Sequence, residues 1–213
     1  MKKPVFLLFM AAVISLSLAQ EAFAFSASFQ QKITQGTLVI QLKIQMKEKK
    51  MRVESTFTDK TTVMIRNESG TYQVAPNEKT VLKIPAELDR PSLADELPDF
   101  TQFLKKQSAK LTGSETVDGH ACDIYEFKDP ATLADSKAWV WKEKKFPVKI
   151  EIGSPVSGIT RIEMTDIRLD QPIDDKAFEL PAGLPVTDLA AMNSELPEIA
   201  KSKLKPAAAA QKK

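Results

Sequence analysis

The sequence predicts a mainly β protein, built as a strongly curved antiparallel sheet of about 10–11 strands with a short helical lid inserted mid-chain. Three observations predict it. Apolar and polar residues alternate with a period of two along most of the chain. Turn-type residues punctuate these runs at short intervals. The period changes to that of a helix in one place, just after Pro91.

The first run is Phe25 to Ile33, with Phe25, Ala27, Phe29 and Ile33 on one side and Ser26, Ser28, Gln30 and Lys32 on the other. A turn at Gly36 leads to the clearest strand. Leu38, Ile40, Leu42, Ile44 and Met46 share a face against Val39, Gln41, Lys43 and Gln45, the pattern of a half-buried antiparallel strand. The turn Lys47-Glu48-Lys49-Lys50 opens Met51 to Phe57, where Met51, Val53, Ser55 and Phe57 alternate with Arg52, Glu54 and Thr56. Asp59-Lys60, Ser69-Gly70 and Pro76-Asn77-Glu78 separate Thr61–Arg66, Thr71–Ala75 and Lys79–Ile84.

After Pro91, Ser92 with Asp95 reads as a helix cap followed by an acid three residues on. Leu93, Leu97, Phe100 and Leu104 form one helical stripe, and Pro98 predicts two short pieces or a kink. This stripe is expected to pack on the concave face of the sheet. Strands resume as Lys110–Val117, Ala121–Lys128, Lys137–Lys142, Pro147–Ile152 and Gly158–Leu169. Lys176–Leu180 is the last ordered segment expected. Residues 188–213 follow as a weak helix (Leu189, Met192, Leu196, Ile199) and an Ala/Lys tail.

Lys2 and Lys3, the apolar run Val5–Leu18 and the tripeptide Ala22-Phe23-Ala24 form an export signal, so residues 1–24 are expected to be cleaved. The run is shorter than the roughly 20 residues that span a bilayer. Phe25, with no cysteine at the cleavage point, starts the mature chain. A periplasmic location is expected, without lipidation and without stable membrane insertion. The rest, residues 25–187, is expected to form one domain with a core of its own.

Lys plus Arg number 30 and Asp plus Glu 28, a formal net charge of +2, so there is no electrostatic footprint for nucleic acid. Cys122 is alone and has no internal disulfide partner. One His and one Cys are too few for a metal site, and no cofactor is expected. His120 and Cys122 lie two apart on a predicted strand, about 7 Å, beyond proton-transfer reach. Asp174-Asp175 and Asp89 with Asp95-Glu96 fall at turns or caps, the usual place of solvated acids. No phosphate loop, nucleophile elbow or dinucleotide glycine pattern is present. No catalytic residue is expected, and the chain does not read as an enzyme.

Phe25-Ser-Ala-Ser-Phe-Gln-Gln-Lys-Ile-Thr-Gln-Gly36 resembles the opening strand of the periplasmic outer-membrane lipoprotein carriers, the LolA family. Asp174-Asp175-Lys-Ala-Phe178-Glu-Leu-Pro181-Ala-Gly183 is similar to that family's closing strand and turn. Gly113–Tyr125 and Lys137-Ala-Trp139-Val-Trp141, with Met51–Glu54 and Ile65-Arg66, look like an uncharacterised sister group of LolA-like exported proteins. The resemblance spans about Phe25 to Thr187. It implies an unclosed β half-barrel with a helical lid and an apolar cavity that shelters acyl chains. Two departures matter. Only the signal segment precedes Phe25, where the carriers have a helix. Glu48 stands where the carriers have an arginine tied to lid closure and cargo transfer. The fold carries over, and the cargo is left broader than lipoprotein alone.

The function expected is therefore binding or carriage of a lipid or lipoprotein acyl group, with an envelope protein partner as the alternative. The candidate ligand-binding residues are Leu38, Ile40, Leu42, Ile44, Met46, Met51 and Val53 on the strands, Leu97, Phe100 and Leu104 on the lid, and Trp139 and Trp141. The same strand residues would equally serve a core filled by the lid, and the alternation does not separate the two. The tryptophan pair is an ordinary core feature as well as a candidate cavity wall.

Overall fold

The computed structural model describes residues 25–57, 60–89, 92–130, 133–156 and 158–191. The expected export signal and the tail from Met192 onward lie outside these residues, as do Asp59 and Pro91.

The described chain begins with six consecutive hairpin-linked strands: β1 (Ser26–Gln35), β2 (Leu38–Lys47), β3 (Lys50–Phe57), β4 (Lys60–Asn67), β5 (Gly70–Ala75) and β6 (Thr80–Ile84). The lid follows as α1 (Leu93–Glu96), a 3₁₀ turn (Leu97–Asp99) and α2 (Phe100–Lys106). A second meander comprises β7 (Lys110–Val117), β8 (His120–Lys128), β9 (Asp135–Trp141), β10 (Pro147–Ser154) and β11 (Gly158–Leu169). A 3₁₀ turn (Asp175–Phe178) and β12 (Val186–Asp188) end it.

All twelve strands form one sheet in the order β12-β6-β5-β4-β3-β2-β1-β11-β10-β9-β8-β7. The pairing of β1 with β11 joins the two meanders into a continuous surface. β12 and β7 lie at opposite ends and do not pair with each other, so the sheet is unclosed. Every pair is antiparallel except β12 with β6. Mainly β architecture with a mid-chain helical insertion is thus what the alternation and the break after Pro91 predict.

Register follows the apolar pattern. Ala27 pairs with Met46, Phe29 with Ile44 and Ile33 with Ile40, so the apolar sets of β1 and β2 share one face. Val53 opposite Ile44 and Met64 opposite Val53 extend it to β4. Beyond β11 the face continues through Ile162, Ile150, Ala138 and Tyr125.

Pro98 breaks the lid as its chemistry requires, because it lacks the N–H that a continuous α-helix needs. The second helical piece restarts with Asp99, whose Oδ1 accepts from the Gln102 N–H at 3.0 Å. Leu97, Phe100, Phe103 and Leu104 are buried beneath the lid with Phe29, Ile44, Met46, Met51, Phe127, Val140 and Phe146 in the main core. Phe103 meets Phe127 edge to face at 5.6 Å, and Phe29 meets Phe146 at 5.4 Å.

The C-terminal expectation is corrected. Lys176–Leu180 is not a strand. Asp174 Oδ1 accepts from the Lys176 N–H at 3.0 Å and opens a 3₁₀ turn that buries Phe178. The strand comes later, at β12.

At Gly153 in β10 a side chain is excluded, since a Cβ there would lie 2.4 Å from the Asp135 carbonyl oxygen.

Candidate binding surface

The lid does not cover the whole concave face. Ile44, Met46 and Met51 lie under it and are nearly inaccessible, at 3%, 4% and 3% exposure. Farther along the same face, Leu42, Val53 and Met64 are only partly buried against this core, together with Ile33 and Ile152. Ile40 is partly exposed and Leu38, at the end of the row, is 49% exposed. An apolar strip therefore continues the core outward into solvent. From Leu38 to Ile44 it runs about 20 Å at the rise of a β-strand.

The expected deep hollow is filled where the lid sits. Leu97, Phe100 and Leu104 are 3%, 1% and 4% exposed, and they occupy the space that the sequence assigned jointly to cargo and lid. What remains at the lid's margin is a cavity of about 110 Å³ between Phe25, Leu97, Phe100, Phe146 and Leu169. That is too small for an acyl chain.

An ionic cluster fastens the lid. Arg66, on the concave side of β4, donates to Asp89 Oδ1 at 2.9 Å and to Asp95 of α1. Thr71 Oγ1 donates to the other Asp89 oxygen at 2.6 Å. Asp95 also accepts from the Ser92 N–H at 2.7 Å, closing the predicted cap. Burial opposes charge on Asp95, but the Ser92 N–H and the Arg66 guanidinium outweigh it and hold the carboxyl below its ordinary value. Burial likewise lowers the Arg66 pKa, and its bonds to Asp95 and Asp89 more than restore it. Asp89 and Asp95, read from sequence as solvated acids, are thus lid anchors. Their partner sits some 23 and 29 residues away, so no local pattern announces it.

Trp139 and Trp141 belong to the other face. The alternation of β9 sends Ala138 and Val140 into the lid core and both tryptophans outward, where they pack with Cys122, Val148 and Ile124. They do not join the concave set. Lys149 Nζ lies 4.0 Å over the Trp139 ring. Cys122 Sγ contacts the backbone oxygen of His120 at 3.3 Å, while the His120 ring packs on Trp141 at 4.1 Å. The thiol and imidazole do not form a nucleophile–base pair, and burial pushes the Cys122 thiol up. Among the described residues no group of three or more His, Cys, Asp or Glu is placed to hold a metal. No helix among them is long and apolar enough to cross a membrane.

Other hollows are rimmed by charged side chains. One of about 440 Å³ on the outer face is lined by Gln30, Lys32, Gln41, Lys149 and Glu163. Another of about 560 Å³ adjoins Arg66, Asp89, Lys49 and Lys50.

Phe103, Phe127, Phe146 and Met164 are core residues that the lid stripe and the second strand did not reveal. Aromatic residues at 103 and 127 lie in α2 and β8, whose mutual approach depends on how the lid lies on the sheet.

Among solved structures, an uncharacterised conserved protein from Thermus thermophilus matches with a TM-score of 0.51 at 9% identity, covering 77% of this chain and 89% of that one. A chain of the Pseudomonas aeruginosa MucA/MucB complex matches with a TM-score of 0.50 at 11% identity. That match covers 76% of this chain and 58% of the other, so this chain spans less than two thirds of it. At these identities the likeness is one of fold. A LolA superfamily protein from Nitrosomonas europaea, the family suggested by the end motifs, is also found, at 11% identity, 74% and 90% coverage and a TM-score of 0.35. No curated protein matches the sequence. A family match covers residues 25–144, more than half of the chain and most of the strands that carry the open strip, and on it the protein belongs to the DUF4412 family, described as a domain of unknown function.

Proposed function

We propose that the mature protein works in the periplasm as a non-enzymatic binder or carrier of a lipid or lipoprotein acyl group, held on the open strip beside the lid. The observation that carries this reading is the continuity of an apolar, half-exposed strip (Leu38, Ile40, Leu42, Val53, Met64) with the lid core. Burying a methylene is worth about 0.8 kcal/mol. A chain of about 16 carbons therefore gains on the order of 10 kcal/mol before ordering costs. Met64 on the strip suits an irregular, flexible ligand.

The test is native mass spectrometry of the mature protein with added palmitate and lysophospholipid. Stoichiometric adducts are expected. Bare mass at saturating lipid, with the fold intact by circular dichroism, refutes the proposal.

A second reading is favoured by a separate observation. β7 is exposed along its whole length except Val117 and pairs only with β8, so it offers a free edge to an extended peptide. The MucA/MucB match concerns a protein complex, which is consistent with a protein-binding module. Capture of an envelope protein that is lost on a Thr112→Pro or Ser114→Pro substitution would support it over lipid carriage.

A further inference from the structure

The two ends of the half-barrel differ in charge. At the lid end, the β2–β3 turn reads Lys47-Glu48-Lys49-Lys50 and the β9–β10 turn Lys142-Glu143-Lys144-Lys145. At the other end the β1–β2 and β10–β11 turns lie side by side, because Gln35 pairs with both Leu38 and Thr160. Residues 33–42 and 152–160, which build these two tips, include no Asp, Glu, Lys or Arg in a chain that is 27% charged. Bulky apolar side chains stand there in water. Val39 is 48% exposed, Ile159 60% and Val156, in the β10–β11 turn, 94%.

These residues surround the tips instead of forming one face. Leu38 and Ile40 lie on the concave side with Ile33 and Ile152. Val39 falls on the outer side by alternation, and Ile159 lies there too, beside Glu126, Lys137 and Glu151. A partner seated on one face covers one of these sets and leaves the other wet. A medium that is apolar on every side covers both, and a bilayer is such a medium. The depth fits as well. Val39 and Ile159 lie within about 7 Å of their turns, inside the roughly 5–10 Å that an interfacial element sinks past the headgroups. Gly36-Thr37 is the whole of the β1–β2 turn, so few backbone groups there enter unpaired.

We propose that this uncharged end is a membrane-docking rim, which sinks reversibly into the surface of a phospholipid bilayer and leaves the lid end in water. Docking itself needs only the exposed apolar tips. Its use for transfer rests on the acyl-binding reading, because Leu38 belongs to both rim and strip and lets a chain pass from one to the other without crossing water.

The test is flotation of the mature full-length chain with vesicles of phosphatidylethanolamine and phosphatidylglycerol. The parent is expected to float with them, and still to do so at about 0.5 M NaCl, where surface charge is screened. The Val39→Ser, Val156→Ser, Ile159→Ser triple variant should partition at least about tenfold less. Its binding of a fluorescent palmitate analogue in solution should equal the parent's, since none of the three lies on the strip. Leu111→Ser, at a site on β7 as exposed as Ile159, should float like the parent. A dimer in sedimentation velocity that the triple variant abolishes assigns the tips to a second copy and overturns the rim. A parent that stays in the soluble fraction, flotation lost in salt, or a triple variant that floats as well as the parent also overturns it, and palmitate binding then leaves the carrier reading standing. Flotation by the parent alone, with no palmitate bound to either protein, upholds the rim and sinks the carrier reading.

Discussion

Arg66 of β4 and Asp95 of α1 form an ion pair across the boundary between sheet and lid, with Arg66 simultaneously held by Asp89. Both carboxylates belong to the segment that leads from β6 into the lid, so one guanidinium fixes the entry and the first turn together. The side chains are 21% exposed for Arg66 and 28% and 32% for the two acids. This is an intermediate setting, neither a solvated surface pair nor a buried one.

Arg66→Ala is therefore expected to lower stability by about 1–2 kcal/mol, between the values typical of exposed and buried pairs. Urea unfolding at neutral pH measures it. The midpoint should fall with the slope unchanged.

Acid should loosen the same contact. The folded pKa of Asp95 lies below its ordinary value of 3.8, and that of Glu151, bonded to Arg161 and Lys149, below 4.5. A depressed carboxyl contributes stability that is present above its unfolded pKa and is lost as pH falls through the folded one. Stability should hold above about pH 5 and decline below about pH 4. Asp95→Asn removes one titration, so its urea midpoint should start lower at pH 7 and fall less steeply than the parent's on acidification.

The lid core should be the costliest place to cut. Phe100 is 1% exposed and stacks on Phe103 at 5.2 Å. Phe100→Ala should cost about 3–5 kcal/mol by thermal or urea unfolding. A loss below about 1 kcal/mol would show that the lid contributes little to the core.

The open strip should separate binding from stability. Leu38→Ser changes a residue that is 49% exposed, and should move stability by no more than about 0.5 kcal/mol. Combined with Ile40→Ser it should weaken binding of a fluorescent palmitate analogue severalfold. Trp141→Phe, on the opposite face, should leave that binding unchanged.

Cys122 is 0% exposed and its thiol is pushed up by burial. Alkylation by iodoacetamide at pH 8 should be negligible in the native protein and complete in urea. Rapid native labelling would show that the β8–β9 region opens.

Much of this protein was determined by its sequence alone. Alternation in β1–β5, the lid stripe and its break at Pro98 are local patterns, because a side chain's face depends only on backbone period. The shared face of Leu38, Ile40, Leu42, Ile44 and Met46 follows for the same reason. Only the tertiary structure decided how that face is divided between core and solvent. Whether Ile44 or Leu38 is covered depends on where the lid lands, and the lid is placed by Arg66 reaching Asp95 across 29 residues of chain. The same holds for Trp139, whose face is assigned by the register of β9 with β8 and β10, and for the C-terminal segment, where Asp174 capping its own backbone outcompeted a strand. Local period assigns a side chain to one face or the other. Contacts between distant segments assign it to water or to the interior.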